Sequence, residues 1–462
     1  MTGLMRIAAI SKGDRLILAL TGFCLLVFLL TIPLPRADNQ LVGSDGVYYY
    51  VYLPSLLLDG DLDFRDEYAH FFAYDPTKVE RLLSNRTPVG RLPNQWPIGP
   101  AILWSPFFLL AHLLASLLRW LGFPVATDGY GYLYQTFVLS GSILYGGAGL
   151  LLVYRFARAM VSEQAALVAT GLIALAGNLI YYLTAEPYMA HTLSVFASGL
   201  FFHTWLRRRG RPGIRTALLY GLLGGLMALI RPQDGLFMAL PFLARLPPAW
   251  RGLRGGDRRP AIGLLRDVLI AGSVALLVFS PQMVVWGVLY GNPFRSPYTY
   301  HPGTDFYWLS PRLGAVLFSA FRGLFTWHPI FLPALVGLFP AYRRDRTFAL
   351  LGGLGFVAQW YIISSWHNWM QGDAFGGRMF LVCTPIFVMG LAHLIEGTAK
   401  RWSWPAVYAL GGLLLVWNFL LFVEYRFDLV TAQRPPTWYD LTIGRVTFLL
   451  TFLQRLLRRL AT

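Results

Sequence analysis

Apolar runs of about twenty residues, each closed by a short polar turn, recur along the whole chain. Such runs are long enough to cross a bilayer as helices, and their number excludes a soluble globular domain. The pattern predicts an all-α polytopic membrane protein with about 12 transmembrane helices (11–13). The spans are residues 16–34, 131–153, 164–184, 187–206, 214–230, 235–246, 268–290, 326–341, 347–365, 379–397, 404–424 and 441–457. The first is too long for the apolar part of a signal peptide, and no small-residue cleavage site follows it, so a retained helix is expected.

Three stretches depart from the alternation. Residues 35–96 form a long first outer loop. Within it, Val47 to Leu58 is rich in tyrosine and then leucine, which suits a helix lying in the membrane interface. Asp59, Asp61 and Asp63 then return the chain to water. Residues 97–121 are apolar and long enough to span. However, Arg155 and Arg158 fix the end of 131–153 on the inside, so both ends of 97–121 fall on the outer side. The stretch reads as a second interfacial or re-entrant helix, introduced by Trp96-Pro97-Ile98-Gly99-Pro100. Residues 313–325 read as a half-helix.

The net charge of +16 changes the picture only through its placement. Sorted by this topology, most of the 39 Lys and Arg fall in cytoplasmic loops, with few of the 23 Asp and Glu. That is the positive-inside bias; it orients the chain with both termini cytoplasmic and gives no reason to expect nucleic acid. A hydrophobic fraction of 56%, a charged fraction of 13% and a mean hydropathy of +0.51 agree with membrane residence. Cys24 and Cys383 each lie inside an apolar segment, which argues against a structural disulfide or a cysteine metal site.

Polar residues suited to chemistry collect on the outer side, where an ionisable group near the membrane marks a functional candidate. Asp45, in Gly43-Ser44-Asp45-Gly46, stands at the mouth of a cavity or else caps the helix that begins after it. Glu186, in Ala185-Glu186-Pro187, is a second outer carboxylate or a first-turn acid favoured by the helix dipole. His191 follows it on a similar face. Arg231 and Arg378 break the positive-inside trend. A guanidinium fork suits a phosphate, and Gly376-Gly377 ahead of Arg378 would expose amides to a ligand; the alternative is a salt bridge to an outer acid such as Asp234 or Asp373. Tyr298, Thr299, Tyr300 and His301, with Trp308, Trp366 and Trp369, either stack on a sugar or form the interfacial aromatic belt. His367 and Asp373 complete the candidate substrate contacts. There is no P-loop, no HExxH and no GxSxG motif, and the Asp59/Asp61/Asp63 run lies outside, away from nucleotide sugars.

The order of these features resembles the GT-C superfamily of integral membrane glycosyltransferases, in particular the branch of protein O-mannosyltransferases and lipid A aminoarabinose transferase. The resemblance rests on Asp45 after the first helix, on interfacial helices in the first outer loop, on the Pro-containing turn at Trp96–Pro100, on Glu186 after a later helix, and on the helix count. It covers residues 1–240, a GT-C-like module including the loop 35–96; residues 241–462 complete the bundle and are similar in hydropathy alone. The resemblance implies a polyprenyl-phosphate sugar donor, a glycan, lipid or protein acceptor, and a plasma membrane of a bacterium or archaeon with the site facing outward. It implies Asp45 as the base, assisted by Glu186, and Arg378 or Arg231 on the donor phosphate. Whether a divalent metal takes part stays open; Asp45, Glu186 and His191 are its candidate ligands. A polymerase or ligase using diphosphate-linked donors and a transporter or flippase of lipid-linked sugars remain the competing readings. Neither the late catalytic loop of the first nor the paired repeats of the second is evident in the sequence.

Overall fold

Within a bilayer a helix satisfies every backbone amide and carbonyl inside one segment, and the apolar runs fold as helices. The structure, a computed structural model, describes residues 10–34, 38–300, 305–426, 430 and 436–460, without the side chains of 452, 453 and 455–460. Among them there is no strand beyond one isolated bridge, Phe306 with Trp366. After α1 (Lys12–Thr31) the first loop carries α2 (residues 46–59, ending in a π turn), α3 (Arg65–Phe71) and α4 (Pro76–Ser84). Then come α5 (Gly99–Trp120), α6 (Tyr132–Arg158), α7 (Glu163–Leu175), α8 (Leu179–Thr184), α9 (His191–Arg208) and α10 (Ile214–Ile230). A 3₁₀ segment, Pro232–Ala239, leads to α11 (Leu240–Leu243), α12 (Leu246–Arg254) and α13 (Arg259–Tyr290). The rest comprises α14 (Leu313–Phe318), α15 (Leu324–Trp327), α16 (Phe331–Val336), α17 (Leu338–Arg344) and α18 (Arg346–Ser365). Arg378–Cys383, a 3₁₀ segment, feeds α19 (Thr384–Arg401), followed by α20 (Trp404–Arg426) and α21 (Ile443–Leu460).

Among the described residues, seven helical segments are long and apolar enough to cross a membrane: α1, α5, α6, α13, α18, residues 378–401 and α20. α7 and α10 are shorter apolar helices. This is an all-α integral membrane protein. Of the remaining expected spans, 187–206, 214–230 and 441–457 fall in the unbroken α9, α10 and α21, whereas 164–184, 235–246 and 326–341 are interrupted. Residues 326–341 carry Pro329, Pro333, Gly337 and Pro340, and they fold as α16 and α17 with a bend between. The half-helix at 313–325 divides into α14 and α15 on either side of Arg322, whose φ is 67°. Residues 164–184 break at Gly177–Asn178. There the Asn418 amide of α20 donates to the carbonyls of Leu175 (2.8 Å) and Gly177 (2.9 Å), which the break deprives of helical partners. The last expected span, 441–457, falls in α21, which carries Arg445 fully buried and is not among the seven.

Ion pairs gather one set of loops at one end of the bundle. Asp14, held in a capping box with Ser11, pairs with Arg155 at 2.9 Å; Arg344 pairs with Glu396 at 3.0 Å, and Arg209 with Asp345. The loops around residues 39–59, 94–98, 186–191, 231–234 and 366–378 meet at the other end, with Ser296, Tyr298 and Phe306. α5 is tied to that end twice. The Ile98 amide donates to Gln282 at 2.8 Å and Gly99 sits against the Leu229 backbone, while Arg119 donates to Thr127 at 3.0 Å, near the start of α6. Close helix approach is bought with small residues: a Cβ at Gly225 would lie 2.8 Å from the Ala275 carbonyl oxygen of α13.

Candidate active site

Gly43-Ser44-Asp45-Gly46 folds as a tight turn, in which the Gly46 amide donates to the Gly43 carbonyl at 2.9 Å and Ser44 takes a left-handed φ of 50°. Asp45 stands at the N-cap of α2, yet its side chain makes no capping hydrogen bond. The helix-cap reading therefore fails. The carboxylate turns instead to Arg378, whose Nη2 donates to Oδ2 at 2.8 Å. Glycine at 46 permits this: a Cβ there would lie 2.8 Å from both Cβ and Cγ of Tyr188, with the ring edge nearer still.

Arg378 is buried, 8% exposed, and heads the 3₁₀ segment that runs into α19. Its Nη1 lies 3.5 Å from the Asp373 carbonyl oxygen. The preceding glycines serve packing. Gly376 has φ 69°, and a Cβ there would collide with the His328 imidazole; Gly377 sits against Leu324 and Phe380. The amides on either side of the two glycines are used: Phe375 donates to the Tyr182 hydroxyl (3.1 Å), Arg378 to Gly376 (2.9 Å), Met379 to Gln371 (2.8 Å) and Phe380 to Gly377 (3.1 Å).

Arg231 leaves α10 in an extended conformation, φ −150°. Its Nη1 donates to His191 Nδ1 at 2.9 Å, and with the Gln233 amide assigned so that its oxygen faces the guanidinium, that oxygen accepts from Nε (3.2 Å) and Nη2 (2.7 Å). A guanidinium can only donate, so Nδ1 is the unprotonated nitrogen of His191. Asp234 takes no part in an ion pair with Arg231. It is buried and accepts from Ser194 at 2.7 Å. The alternative of a salt bridge to an outer acid holds for Arg378, with Asp45 in place of Asp234 or Asp373, while Arg231 pairs with neither of those two.

These groups line a cavity of about 370 Å³. Asp45, His191, Arg231, Tyr298, Asp373 and Arg378 all reach its wall, with Tyr49, Trp96, Phe306 and Trp366 as aromatic panels. Asp373 accepts from Tyr425 and faces Arg322 at 3.7 Å. Other candidates lie elsewhere. Glu186 sits outside the wall, its carboxylate accepting from the Tyr181 hydroxyl at 2.9 Å. Burial pushes its carboxyl up to about 7, against the pull of the nearby Arg378 guanidinium and the Tyr181 hydrogen bond. His367 is exposed and meets Tyr307 at 3.3 Å. Trp308 stacks on Phe306 away from the wall. His301 lies outside the described residues. Gln233 and Arg322 escaped the sequence reading. Arg322 carries the signal that singled out Arg378, a basic residue among apolar ones on the outer side, while Gln233 carries none beyond its place in Arg231-Pro232-Gln233-Asp234.

The candidate metal ligands do not assemble. Arg378 occupies Asp45, Arg231 occupies Nδ1 of His191, and Tyr181 holds Glu186. Among the described residues no three His, Cys, Asp or Glu side chains converge. Two guanidiniums stand where a divalent cation would need anionic and neutral donors, so the arrangement does not fit a resident metal.

No family model matches the sequence, and no curated protein matches it. Solved structures do match. The oligosaccharyltransferase of Archaeoglobus fulgidus in complex with Zn and sulfate is similar with a TM-score of 0.53 and 18% identity, over 92% of this chain and 54% of that one. The chain has the GT-C fold. The apo form of that oligosaccharyltransferase follows at TM-score 0.49 and 14% identity, over 94% of this chain and 54% of that one. The oligosaccharyltransferase AglB from Archaeoglobus fulgidus in complex with an inhibitory peptide and a dolichol-phosphate gives 0.48 and 14%, over 93% and 58%. The chain thus spans little more than half the length of these neighbours.

Proposed function

We propose that the chain is an inverting glycosyltransferase that moves a sugar from a polyprenyl-phosphate donor to a hydroxyl acceptor on a glycan, lipid or protein. The observation that carries this reading is the pairing of a carboxylate and a guanidinium, Asp45 and Arg378, in an aromatic-walled cavity at one end of a membrane bundle. The GT-C fold supports it. A hydroxyl is a weak nucleophile, so Asp45 accepts its proton as the oxygen attacks the anomeric carbon. As the new C–O bond forms, the bond from that carbon to the phosphate oxygen breaks and its electron pair stays on the leaving lipid phosphate. Arg378, with Arg231 also on the cavity wall, stabilises the growing negative charge. Asp45 afterwards returns its proton to water. A single displacement inverts the anomeric centre and needs no covalent enzyme intermediate.

Tyr298 and Trp366 offer flat faces to the sugar, and His191 and Asp373 offer polar atoms to its hydroxyls. Glu186 acts from behind the wall, through its field on Arg378 and through the loop that carries Tyr188. The arginine-rich loops lie at the end remote from the cavity, which orients the cavity away from the cytoplasm, in the plasma membrane of a bacterium or archaeon. The test is to incubate purified protein with labelled polyprenyl-phosphate hexoses and pentoses, with and without membrane extract. Sugar transfer, or slow donor hydrolysis without acceptor, is expected. Consumption of diphosphate-linked donors alone would overturn the reading.

A further inference from the structure

The oxygen of Asp45 nearest Arg378 accepts a hydrogen bond from the guanidinium that the donor phosphate would need. The base and the anion-binding group are thus engaged with each other, and each half of the site blocks the other. The two partners differ in how firmly they are held. Arg378 is 10% exposed at its side chain, is backed by the Asp373 carbonyl, and stands on a segment whose amides are bonded to Tyr182, Gly376, Gln371 and Gly377. The Asp45 side chain is 30% exposed, caps nothing, and rises from a turn with a left-handed Ser44 at its centre. Only Asp45 is free to swing.

We infer that the Asp45–Arg378 ion pair is an exchange latch that orders substrate binding: the phosphate of a lipid-linked donor displaces the Asp45 carboxylate from Arg378 and thereby releases the base toward the acceptor. This rests on the donor reading above and adds the order of events. Without donor, Asp45 is tied to the guanidinium, so an acceptor entering first meets a base already engaged. With donor seated, the phosphate takes the guanidinium, and like-charge repulsion turns the carboxylate away from it. Donor binds first, and the base is unmasked only when there is a sugar to transfer. The same exchange limits wasteful activation of water in the empty site.

A competing internal anion weakens an external one, so neutralising Asp45 should tighten the binding of the lipid phosphate while slowing transfer. The experiment measures the affinity of a long-chain polyprenyl phosphate for parent protein in lipid nanodiscs, and for D45N, D45A and D45E, each checked for an unchanged unfolding transition. D45N and D45A are expected to bind about tenfold more tightly, a change of about 1.4 kcal/mol, whereas D45E keeps the charge and stays near the parent. Two neutral variants guard against one that fails to fold. Equal or weaker binding by both neutral variants, with the parent binding normally, overturns the latch and leaves the donor reading intact. If neither parent nor variants bind polyprenyl phosphate, the donor reading itself fails and the latch with it. Inorganic phosphate is the comparison ligand: if it competes at the concentration at which the lipid phosphate binds, the displacing anion is free phosphate and the lipid assignment is wrong.

Discussion

Replacing Gly46 with alanine tests whether the turn that presents Asp45 is seated against Tyr188. A methyl group at that position lies 2.8 Å from both Cβ and Cγ of Tyr188. Rotation about χ1 swings the ring but leaves Cβ where it is, so the clash persists until one backbone moves. Overpacking of this kind costs typically 1–3 kcal/mol. Gly46 has no left-handed φ to lose, and alanine restricts the unfolded chain, which returns about 0.4–1 kcal/mol. The net loss is then at most about 2.6 kcal/mol and about 1.3 kcal/mol at the middle of the two ranges, with the turn and its carboxylate displaced from Arg378. Gly22, in α1, is the control, because a Cβ there meets nothing within 4 Å. Gly22→Ala should be neutral or stabilising, as alanine is favoured over glycine inside a helix. Thermal and denaturant unfolding in detergent compare the two, and donor turnover is measured beside them. A Gly46→Ala protein as stable as Gly22→Ala, with parental turnover, would refute the packing of the turn against Tyr188.

Arg378→Gln and Arg231→Gln should each weaken polyprenyl-phosphate binding at least about tenfold, since hydrogen bonds to a charged group are worth about 1.5–3 kcal/mol; parental affinity in both variants would place the phosphate elsewhere. Glu186 has its folded value raised to about 7 from 4.5, so the fold holds more protons than the unfolded chain across that window and loses stability as pH rises through it. The stability of Glu186→Gln relative to the parent should accordingly rise between about pH 4.5 and 7 and level off above, and a flat difference would deny the burial of that carboxyl. In intact cells an impermeant thiol reagent should label Arg65→Cys and spare Arg209→Cys; the reverse pattern would invert the orientation.

Much of the architecture is legible in the sequence because a bilayer admits only backbones that satisfy their own hydrogen bonds, and apolar runs of about twenty residues do so as helices. What hydropathy hides is where a helix breaks. The gap at Gly177–Asn178 depends on Asn418, more than two hundred residues away, supplying donors to the stranded carbonyls. Nothing near residue 177 announces that. Charge placement singled out Arg231 and Arg378, since a guanidinium outside the cytoplasmic loops needs a local reason, and both reach the cavity wall. Their partners were not legible. The pairing of Arg378 with Asp45 joins positions 333 residues apart, and the pairing of Arg231 with His191 and Gln233 follows from the extended exit of α10. Glu186 shows the opposite failure. Like Asp45 it is an outer-side acid ahead of a helix, yet the loop turns its carboxylate to Tyr181 behind the wall. The glycines before Arg378 suggested an open cradle, and the structure fills it with His328 and Leu324.

Asp45 is expected to take the acceptor's proton. The most direct measurement is sugar turnover by Asp45→Asn at saturating donor, once a donor and acceptor pair has been found. Saturation removes any gain in donor affinity from the comparison, and asparagine keeps the size of the side chain and an oxygen to accept from Arg378. Loss of a general base costs on the order of 10²–10⁴ in rate, so the variant should fold, bind donor and transfer almost nothing. Near-parental turnover would contradict the account and take Asp45 out of the chemistry.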